Sequence, residues 1–525
     1  MHKLEKGRII KNIGSSQFSL AINVLVGIFL YPFILHHLGD TASGIWVLIF
    51  SITGYYGLFD LGIRSSIVRF VSKFTATGDK EELAKLVNTG VFTYSWVGVA
   101  SMLVTLALCF YADQIFLRKI PPEMLTTARW LLLMVGTSVA LGFPLGIFGG
   151  FLEGLQRFYI LNWTNVVSTL LRAGLIVVAL NHGYGLLTVA LITISLPVLA
   201  SIVRGIIALR ICPVPFGLRY VNRATFRRMA NYSGVTFIIM VAGRLKFKTD
   251  EIVIGTFLSA AAITYFNIGA RIVDYAGQVV TALAQVFVPM ASQAEARGDM
   301  NRLRKIFVAG NRVCAFVIFP ICAVLIILGK SVIEVWVGKK YIATSYPVLV
   351  IMIVCSTFWF AQSASGRVLF GMSKHGTWAI VTLIEGVSNL ILSIILVRPY
   401  GIIGDAFGTA IPLLCSTIFF MPRHMCRHLG IRLGTYLREA YVLPLLVTAP
   451  LVLVLLLMRY WFVPHKFRQL ALQFLIGGMV YGLGILWAFL ANHALRVGEL
   501  AAKKDSTAAE SKVVAPPVEI YQQDV

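Results

Sequence analysis

The stretch TGDKEELAKLVNTG (Thr77–Gly90) has a related copy in the same chain. The copy, RGDMNRLRKIFVAG (Arg297–Gly310), keeps two Gly, one Asp, one Leu and one Lys at the same places. Further along, GLQR (Gly154–Arg157) aligns with GMSK (Gly371–Lys374) at almost the same offset. Similarity that recurs at a nearly constant separation indicates a duplicated structural unit.

The composition between these copies is that of a membrane protein. Of the 525 residues, 58% are hydrophobic and only 13% are charged, and the mean hydropathy is +0.81. A helix needs about 20 apolar residues to cross the hydrocarbon layer. Fourteen runs of suitable length lie near 13–35, 43–63, 88–111, 128–150, 160–181, 185–209, 232–257, 263–288, 307–328, 344–370, 376–397, 404–422, 441–458 and 469–492.

The duplication divides these spans into six, then the same six again, then two extra. Because each unit has an even number of spans, both copies enter the membrane in the same direction, which is typical of two-lobed transporters. We predict an all-α integral membrane protein with a first lobe at 1–222 (TM1–6), a second at 223–435 (TM7–12) and TM13–14 at 436–495. Residues 496–525 are polar and are predicted to form a disordered cytoplasmic tail.

The charges support this topology. Most of the 46 Lys and Arg residues fall on alternate loops, and the positive-inside rule then places both termini in the cytoplasm. These basic loops lie beside anionic lipid head groups, which accounts for the net charge of +23. Nucleic acid is therefore not an expected partner. We find no nucleotide-binding loop, catalytic motif or metal-ligand spacing, so no enzyme activity, cofactor or metal site is predicted.

The stretch GRLKFKTDEIVIG (Gly243–Gly255) carries five charges inside an apolar chain. The repeat offset places it over the uncharged interior of the first span, so we predict that it is the seventh membrane helix; an exposed loop between the halves is the alternative. Charged side chains in lipid are costly and must face protein or water. On one continuous helix Arg244, Lys248 and Glu251 share a face, while Lys246 and Asp250 form an i, i+4 pair on the other.

Other ionisable residues lie deep in predicted spans. Arg172 and Glu385 lie near the middle of theirs, and Arg271 either pairs with Asp274 or contacts substrate. The candidate substrate-binding residues are Arg172, Arg244, Lys248 and Arg271. The candidate residues for coupling transport to H⁺ or Na⁺ are Asp250, Glu251 and Glu385.

Two segments carry a family resemblance. Leu38–Phe70 resembles the N-terminal signature of the polysaccharide biosynthesis and flippase (Wzx-like) families of the MOP exporter superfamily. Thr249–Ile272 resembles the seventh-span pattern of these families through Asp250 and Gly255, and differs at Ser259 and Thr264. The signature positions in the first segment are Leu38, Gly39, Gly44, Trp46, Asp60, Gly62 and Arg69.

The resemblance implies a MATE-like fold in a bacterial inner membrane. It also implies a flippase that carries polyprenyl-diphosphate-linked oligosaccharide outward, with polysaccharide polymerase machinery as a possible partner. A slight excess of basic over acidic residues in the spans suits an anionic diphosphate. A MATE-type cation-coupled drug antiporter and a peptidoglycan lipid II flippase are the alternatives, and short outer loops disfavour a membrane-embedded glycan polymerase or ligase.

Overall fold

The computed structural model describes residues 2–111, 121–372, 374 and 376–513, and the regular structure in these residues is helical. The helices are α1 (His2–Gly54), α2 (Ile63–Thr77), α3 (Lys80–Phe110), α4 (Pro122–Gly154), α5 (Phe158–Asn181), α6 (Leu186–Ile211), α7 (Arg223–Phe247), α8 (Asp250–Phe257), α9 (Ala260–Ala284), α10 (Phe287–Ala296), α11 (Met300–Trp336), α12 (Ile342–Ala361), α13 (Ser363–Gly371), α14 (Gly376–Leu414), α15 (Met421–Leu429), α16 (Leu433–Leu437), α17 (Leu443–Trp461) and α18 (Phe467–Val513). A 3₁₀ turn (Tyr55–Asp60) and two π-helical segments (Cys415–Phe420 and Arg438–Val442) complete the list.

The predicted spans are present as helices. Within the described residues, eleven helical segments are long and apolar enough to cross a membrane. Two of these segments, Gly14–Asp60 and Gly376–Leu429, each contain two predicted spans. The seventh predicted span, α7 with α8, is not among the eleven, and counting it gives the fourteen predicted helices.

Glycine allows the two long segments to reverse direction. Gly39 in α1 has φ +77° and Gly401 in α14 has φ +59°, and both interrupt the helical backbone. Residues with a Cβ rarely adopt this left-handed conformation. The chain therefore turns at each glycine, so that α1 provides the first two spans and α14 the eleventh and twelfth.

The duplicated Gly-Asp pair has the same geometry in both copies. Gly78 (φ +72°) ends α2 and Gly298 (φ +65°) follows α10. The next residue caps the following helix: Asp79 accepts a hydrogen bond from the Glu82 backbone N–H at 3.0 Å, and Asp299 accepts one from Arg302 at 2.9 Å. Each copy thus uses left-handed glycine to stop one helix and aspartate to start the next.

A second repeated contact brings helices close together in each lobe. A Cβ added at Gly154 would meet Val71 and the Val68 carbonyl, and one added at Gly371 would meet Ala291 and the Val288 carbonyl. These partners are themselves related by the repeat offset. The duplication read from the sequence is therefore a duplication of packing as well.

The two lobes share a core at one end only. Ile45 and Leu131 of the first lobe pack in one buried cluster with Ile254 and Phe266 of the second, at the end predicted to face outward. At the inner end each lobe has its own apolar core; α7 links them there, because Met229 joins the first lobe's cluster and Arg228 forms an ion pair with Glu82 of α3 at 2.8 Å. The described residues thus close the molecule on its outer side.

The last two helices pack on the outside of the second lobe. Leu451 and Leu455 of α17 and Leu470 of α18 form a cluster with Ile327 and Leu328 of α11. Helix α18 is described as far as Val513. Residues 514–525 of the predicted disordered tail lie outside the described part of the chain.

Candidate functional site

The charged seventh span is a helix with a break. Helix α7 ends at Phe247, Lys248 has a non-helical backbone (φ −133°, ψ 7°), and α8 begins at Asp250. The Thr249 hydroxyl donates to the Leu245 carbonyl at 2.7 Å and also contacts the Tyr55 hydroxyl of the first lobe at 2.7 Å. The stretch is therefore helical and mostly buried rather than an exposed loop, but angles calculated for one continuous helix do not apply across the break.

Lys246 has a different partner from the one predicted. Its ammonium forms an ion pair with Glu385 of α14, and both side chains are almost completely buried. The same ammonium lies 4.8 Å from the centre of the Trp359 ring, and Asn389 donates to the Lys246 carbonyl at 3.1 Å. The predicted Lys246–Asp250 pair is wrong, because α14 packs against α7 and supplies a carboxylate that sequence spacing along α7 does not reveal.

Asp250 belongs to a buried acidic cluster inside the second lobe. Thr409 donates to the Asp250 carboxylate at 3.0 Å, and Thr409 also bonds the Asn389 side-chain oxygen at 3.3 Å. Glu251 and Asp405 are buried nearby, with relative exposures of 6% and 0%. One oxygen of Glu251 and both of Asp405 have no hydrogen-bond partner among the described residues.

This cluster combines carboxylate, hydroxyl and amide oxygens. The described residues contain no group of three His, Cys, Asp or Glu side chains arranged for a metal ion. Alkali cations also bind hydroxyl and carbonyl oxygens, and a proton needs only one carboxylate, so the cluster suits H⁺ or Na⁺ better than a transition metal. Asp405 was not among the predicted coupling residues, although its position in an apolar span was a usable signal.

Arg244 contacts the first lobe at the junction between the lobes. Its guanidinium lies over Gly57, where an added Cβ would stand 2.9 Å from the Nη2 atom, and beside Gly54, where the nearest distance is 3.6 Å. The Tyr55 hydroxyl donates to the Arg244 carbonyl at 3.4 Å. A turn with two glycines thus gives the arginine side chain room at the junction of the lobes.

Lys248 and Arg271 extend the same wall of the second lobe. Lys248 is half-exposed, and its ammonium lies 3.8 Å from Glu251. The Arg271 guanidinium donates to Asn267 at 2.7 Å and stacks at 4.7 Å on the Tyr31 ring of the first lobe. Arg244 and Arg271 thus contact the first lobe directly, and Lys248 lies at the break that follows Arg244.

Arg172 lies apart from these three residues. It falls on the same face of α5 as Thr169, which donates to Asn23 of α1 at 2.9 Å, and Ile176, which packs on α1. None of the described side chains forms a hydrogen bond or ion pair with Arg172, which is half-buried. Arg172 therefore lies on the side of α5 that faces α1, and both helices belong to the first lobe.

A cluster around Asp40 joins the lobes at the outer end and was not predicted. Both carboxylate oxygens lie 3.1 Å from the Lys340 ammonium, and the Tyr265 and Tyr341 hydroxyls donate to the same carboxylate. Nearby, the Trp336 ring N–H donates to the Ile28 carbonyl at 2.7 Å. These contacts link the turn after the first span to α9 and to the segment after α11.

The fold and these residues define a class of protein: a two-lobed helical membrane protein with charged side chains where the lobes meet. Comparison with known families is more specific. The model of the polysaccharide biosynthesis protein family matches residues 9–295, more than half of the chain. The chain belongs to this family, which confirms the predicted resemblance, and it is a transporter rather than an enzyme.

Relatives and solved structures agree with this assignment. A Shigella flexneri protein named "Putative O-antigen transporter" is 20% identical over 426 residues, covering 78% of this chain and 96% of that protein. The inward closed conformation of lipid II flippase MurJ matches with a TM-score of 0.72 at 18% identity, over 92% of this chain and all of that one. An inward-facing MATE family transporter matches with a TM-score of 0.64 at 14% identity, over 78% and 94% of the two chains. The MATE-like fold is confirmed.

Proposed function

We propose that this transporter flips an oligosaccharide linked to a polyprenyl diphosphate from the inner to the outer leaflet of a bacterial cytoplasmic membrane. The observation that carries the proposal is the basic wall of the cleft, formed by Arg244, Lys248 and Arg271. Guanidinium and ammonium groups are the natural partners of phosphate oxygens where water is scarce. The family and the relative's name support a glycan lipid as the cargo.

The transport cycle follows from the packing. The lobes share a core and the Asp40 cluster at the outer end, while their inner cores are largely separate. In this conformation the diphosphate enters from the cytoplasmic side and binds between Arg244 and Lys248. Arg271 extends the same wall, and Arg172 contributes positive potential from the first lobe. Rocking of the lobes then breaks the outer contacts and releases the lipid outward.

Two energy sources fit the charges. With the inside negative, moving an anion outward releases about 2.3 kcal/mol per charge for each 100 mV. Asp250, Glu251 and Asp405 provide a site for a coupling H⁺ or Na⁺ inside the second lobe. Glu385 forms an ion pair with Lys246, so a role in coupling would require that ion pair to open.

Both termini lie in the cytoplasm, and polymerase machinery receives the flipped product.

A flipping assay in liposomes tests the basic wall. Arg244→Ala and Lys248→Ala each remove a charge-assisted contact to phosphate, and we expect at least a tenfold loss of transport in each. Arg302→Ala, on the exposed inner surface, is the matched control and should transport normally. Full transport by both cleft variants would refute the phosphate-binding role.

The acidic cluster also suits a MATE-type antiporter, which would exchange a cation for a drug. The two functions differ in their cargo. Drug efflux from cells that depends on Asp250, combined with no flipping of lipid-linked glycan, would favour the antiporter. A lipid II flippase would instead transport lipid II in preference to other glycan lipids in the same liposomes.

A further inference from the structure

An apolar groove on the second lobe is not used by the cleft described above. It has a volume of about 820 Å³ and lies between α11, α12, the π-helical segment Cys415–Phe420, α15, α16 and α17, none of which carries the basic wall. Ala323, Phe358 and Leu445 line its middle. Phe358 and Leu445 are 44% and 54% exposed although they are surrounded by spans, so the groove opens towards the lipid.

The inner end of this groove is basic. Arg423 and Leu433 line the groove, and both also line a depression of about 510 Å³ together with Arg427 and Arg432. The Arg423 guanidinium donates to the Phe419 carbonyl at 2.8 Å, which holds it at the junction of the two cavities. All three arginines are exposed, and no ion pair among the described residues uses them.

Local helix geometry shapes the walls. The two π-helical segments, Cys415–Phe420 and Arg438–Val442, both contribute side chains to the groove, including Phe419 and Tyr441. Such wide turns are uncommon and often mark functional positions in helices. Gly430, with φ +62°, then ends α15 and turns the chain so that Arg427 and Arg432 meet at one depression.

We propose that this groove binds an anionic glycerophospholipid of the inner leaflet. One acyl chain lies in the apolar groove, and the phosphate is bound by Arg423, Arg427 and Arg432. Guanidinium groups match phosphate oxygens in charge and geometry, and basic clusters beside a span attract anionic lipids. The volume is in the range of about 300 to 1,000 Å³ that is usual for ligand cavities.

The position of the groove favours bulk phospholipid over the transported lipid. The basic wall is carried by α7, α9 and the break before α8, whereas the groove is bounded by α11, α12, α15, α16 and α17 with the π-helical segment before α15. A lipid carried between the lobes therefore occupies a different face. The lipid in the groove stays bound to the second lobe, where α17 packs against that lobe.

Native mass spectrometry of the full-length protein in detergent tests this, with phosphatidylglycerol as the probe and phosphatidylcholine as the neutral comparison. We expect wild type to bind phosphatidylglycerol about a hundredfold more tightly than phosphatidylcholine. A combined Arg423→Gln, Arg427→Gln, Arg432→Gln variant should lose this preference, at about fivefold for each arginine. The matched control, Arg297→Gln, Arg302→Gln, Lys305→Gln, removes three exposed charges from the same face and should keep it.

The groove itself is tested by Ala323→Phe, which fills it from the α11 side. This variant should lose binding of both lipids, whereas Gly482→Phe, where an added side chain meets open space on α18, should not. Undiminished binding by either the triple arginine variant or Ala323→Phe overturns the proposal. Displacement of phosphatidylglycerol by a polyprenyl diphosphate also overturns it, because the groove would then serve the transported lipid. Binding is read without transport, so failure of the flippase assignment leaves this result intact.

Discussion

The buried ion pair between Lys246 and Glu385 gives a sharp prediction for stability. The two side chains are 3% and 2% exposed, so neither charge is screened by water. Glu385→Gln keeps the size of the side chain and removes the negative charge, which leaves the Lys246 ammonium in an apolar interior without this partner. Breaking such a pair on one side typically costs about 3–5 kcal/mol. We expect Glu385→Gln to lower stability by that amount.

Two further variants separate this effect from a general sensitivity to mutation. Arg64 and Glu153 form an ion pair at 2.6 Å, but their side chains are 51% and 24% exposed. Glu153→Gln should therefore cost about 1 kcal/mol or less. A double variant, Lys246→Met with Glu385→Gln, removes both buried charges and should recover most of the lost stability, because the pair itself adds little once desolvation is included.

Thermal unfolding in one detergent, followed by tryptophan fluorescence, measures the three variants beside wild type. The expected order of Tm is Glu385→Gln lowest, then the double variant, then Glu153→Gln close to wild type. Equal losses for Glu385→Gln and Glu153→Gln would refute the reasoning, since burial would then make no difference. A double variant no more stable than Glu385→Gln alone would show that loss of the Glu385 charge beside the Lys246 ammonium is not the cause.

Three other perturbations follow from the contacts. Gly57→Ala should displace the Arg244 guanidinium, because its Nη2 atom would lie 2.9 Å from the new Cβ, and should slow flipping several-fold with an unchanged Tm. The control Gly54→Ala, where the nearest distance is 3.6 Å, should flip normally. Equal flipping rates for the two variants would contradict the role assigned to Arg244. Asp40→Asn weakens the outer contacts between the lobes, because it removes the charge that pairs with Lys340, an exposed pair worth about 1 kcal/mol or less. Spin-label distances between the outer loops should then show a larger fraction of the outward-open form. An unaltered distance distribution would count against the role of Asp40 in outer closure. Gly298→Ala should lower the Tm, because its φ of +65° costs a residue with a Cβ about 1–2 kcal/mol, and an unchanged Tm would argue against the left-handed turn.

The sequence predicted the architecture because the signals for spans and repeats are long. A run of about 20 apolar residues determines a membrane helix almost regardless of its neighbours. The pairs Gly78–Asp79 and Gly298–Asp299 are local signals for the end of one helix and the start of the next, and both are present in the structure. The sequence separated spans one and two between 35 and 43 and spans eleven and twelve between 397 and 404, and the backbone leaves the helical conformation in these intervals, at Gly39 and Gly401.

Predictions of pairing within the site were weaker because they depend on contacts between distant segments. The assignment of residues 243–255 to two helix faces assumed one unbroken helix, yet the backbone leaves the helical conformation at Lys248. Glu385 reaches Lys246 only because α14 packs on α7, a contact between residues far apart in sequence. The role of Asp40 at the outer closure was missed for the same reason, since all its side-chain partners lie in the other lobe.

The break in the seventh span explains why one short stretch carries charges of both signs. Before the break, Arg244 faces the first lobe while Lys246 is turned into the second; after it, Asp250 and Glu251 are buried in the second lobe. Lys248, at the break itself, lies within 3.8 Å of Glu251 and is still 41% exposed. A cation or proton that neutralises the acidic cluster would weaken the attraction between Glu251 and the Lys248 ammonium. The ammonium would then be available to bind a phosphate. The same thirteen residues thus connect the proposed coupling site to the proposed substrate site, and a continuous, uncharged helix such as the first span could not do so.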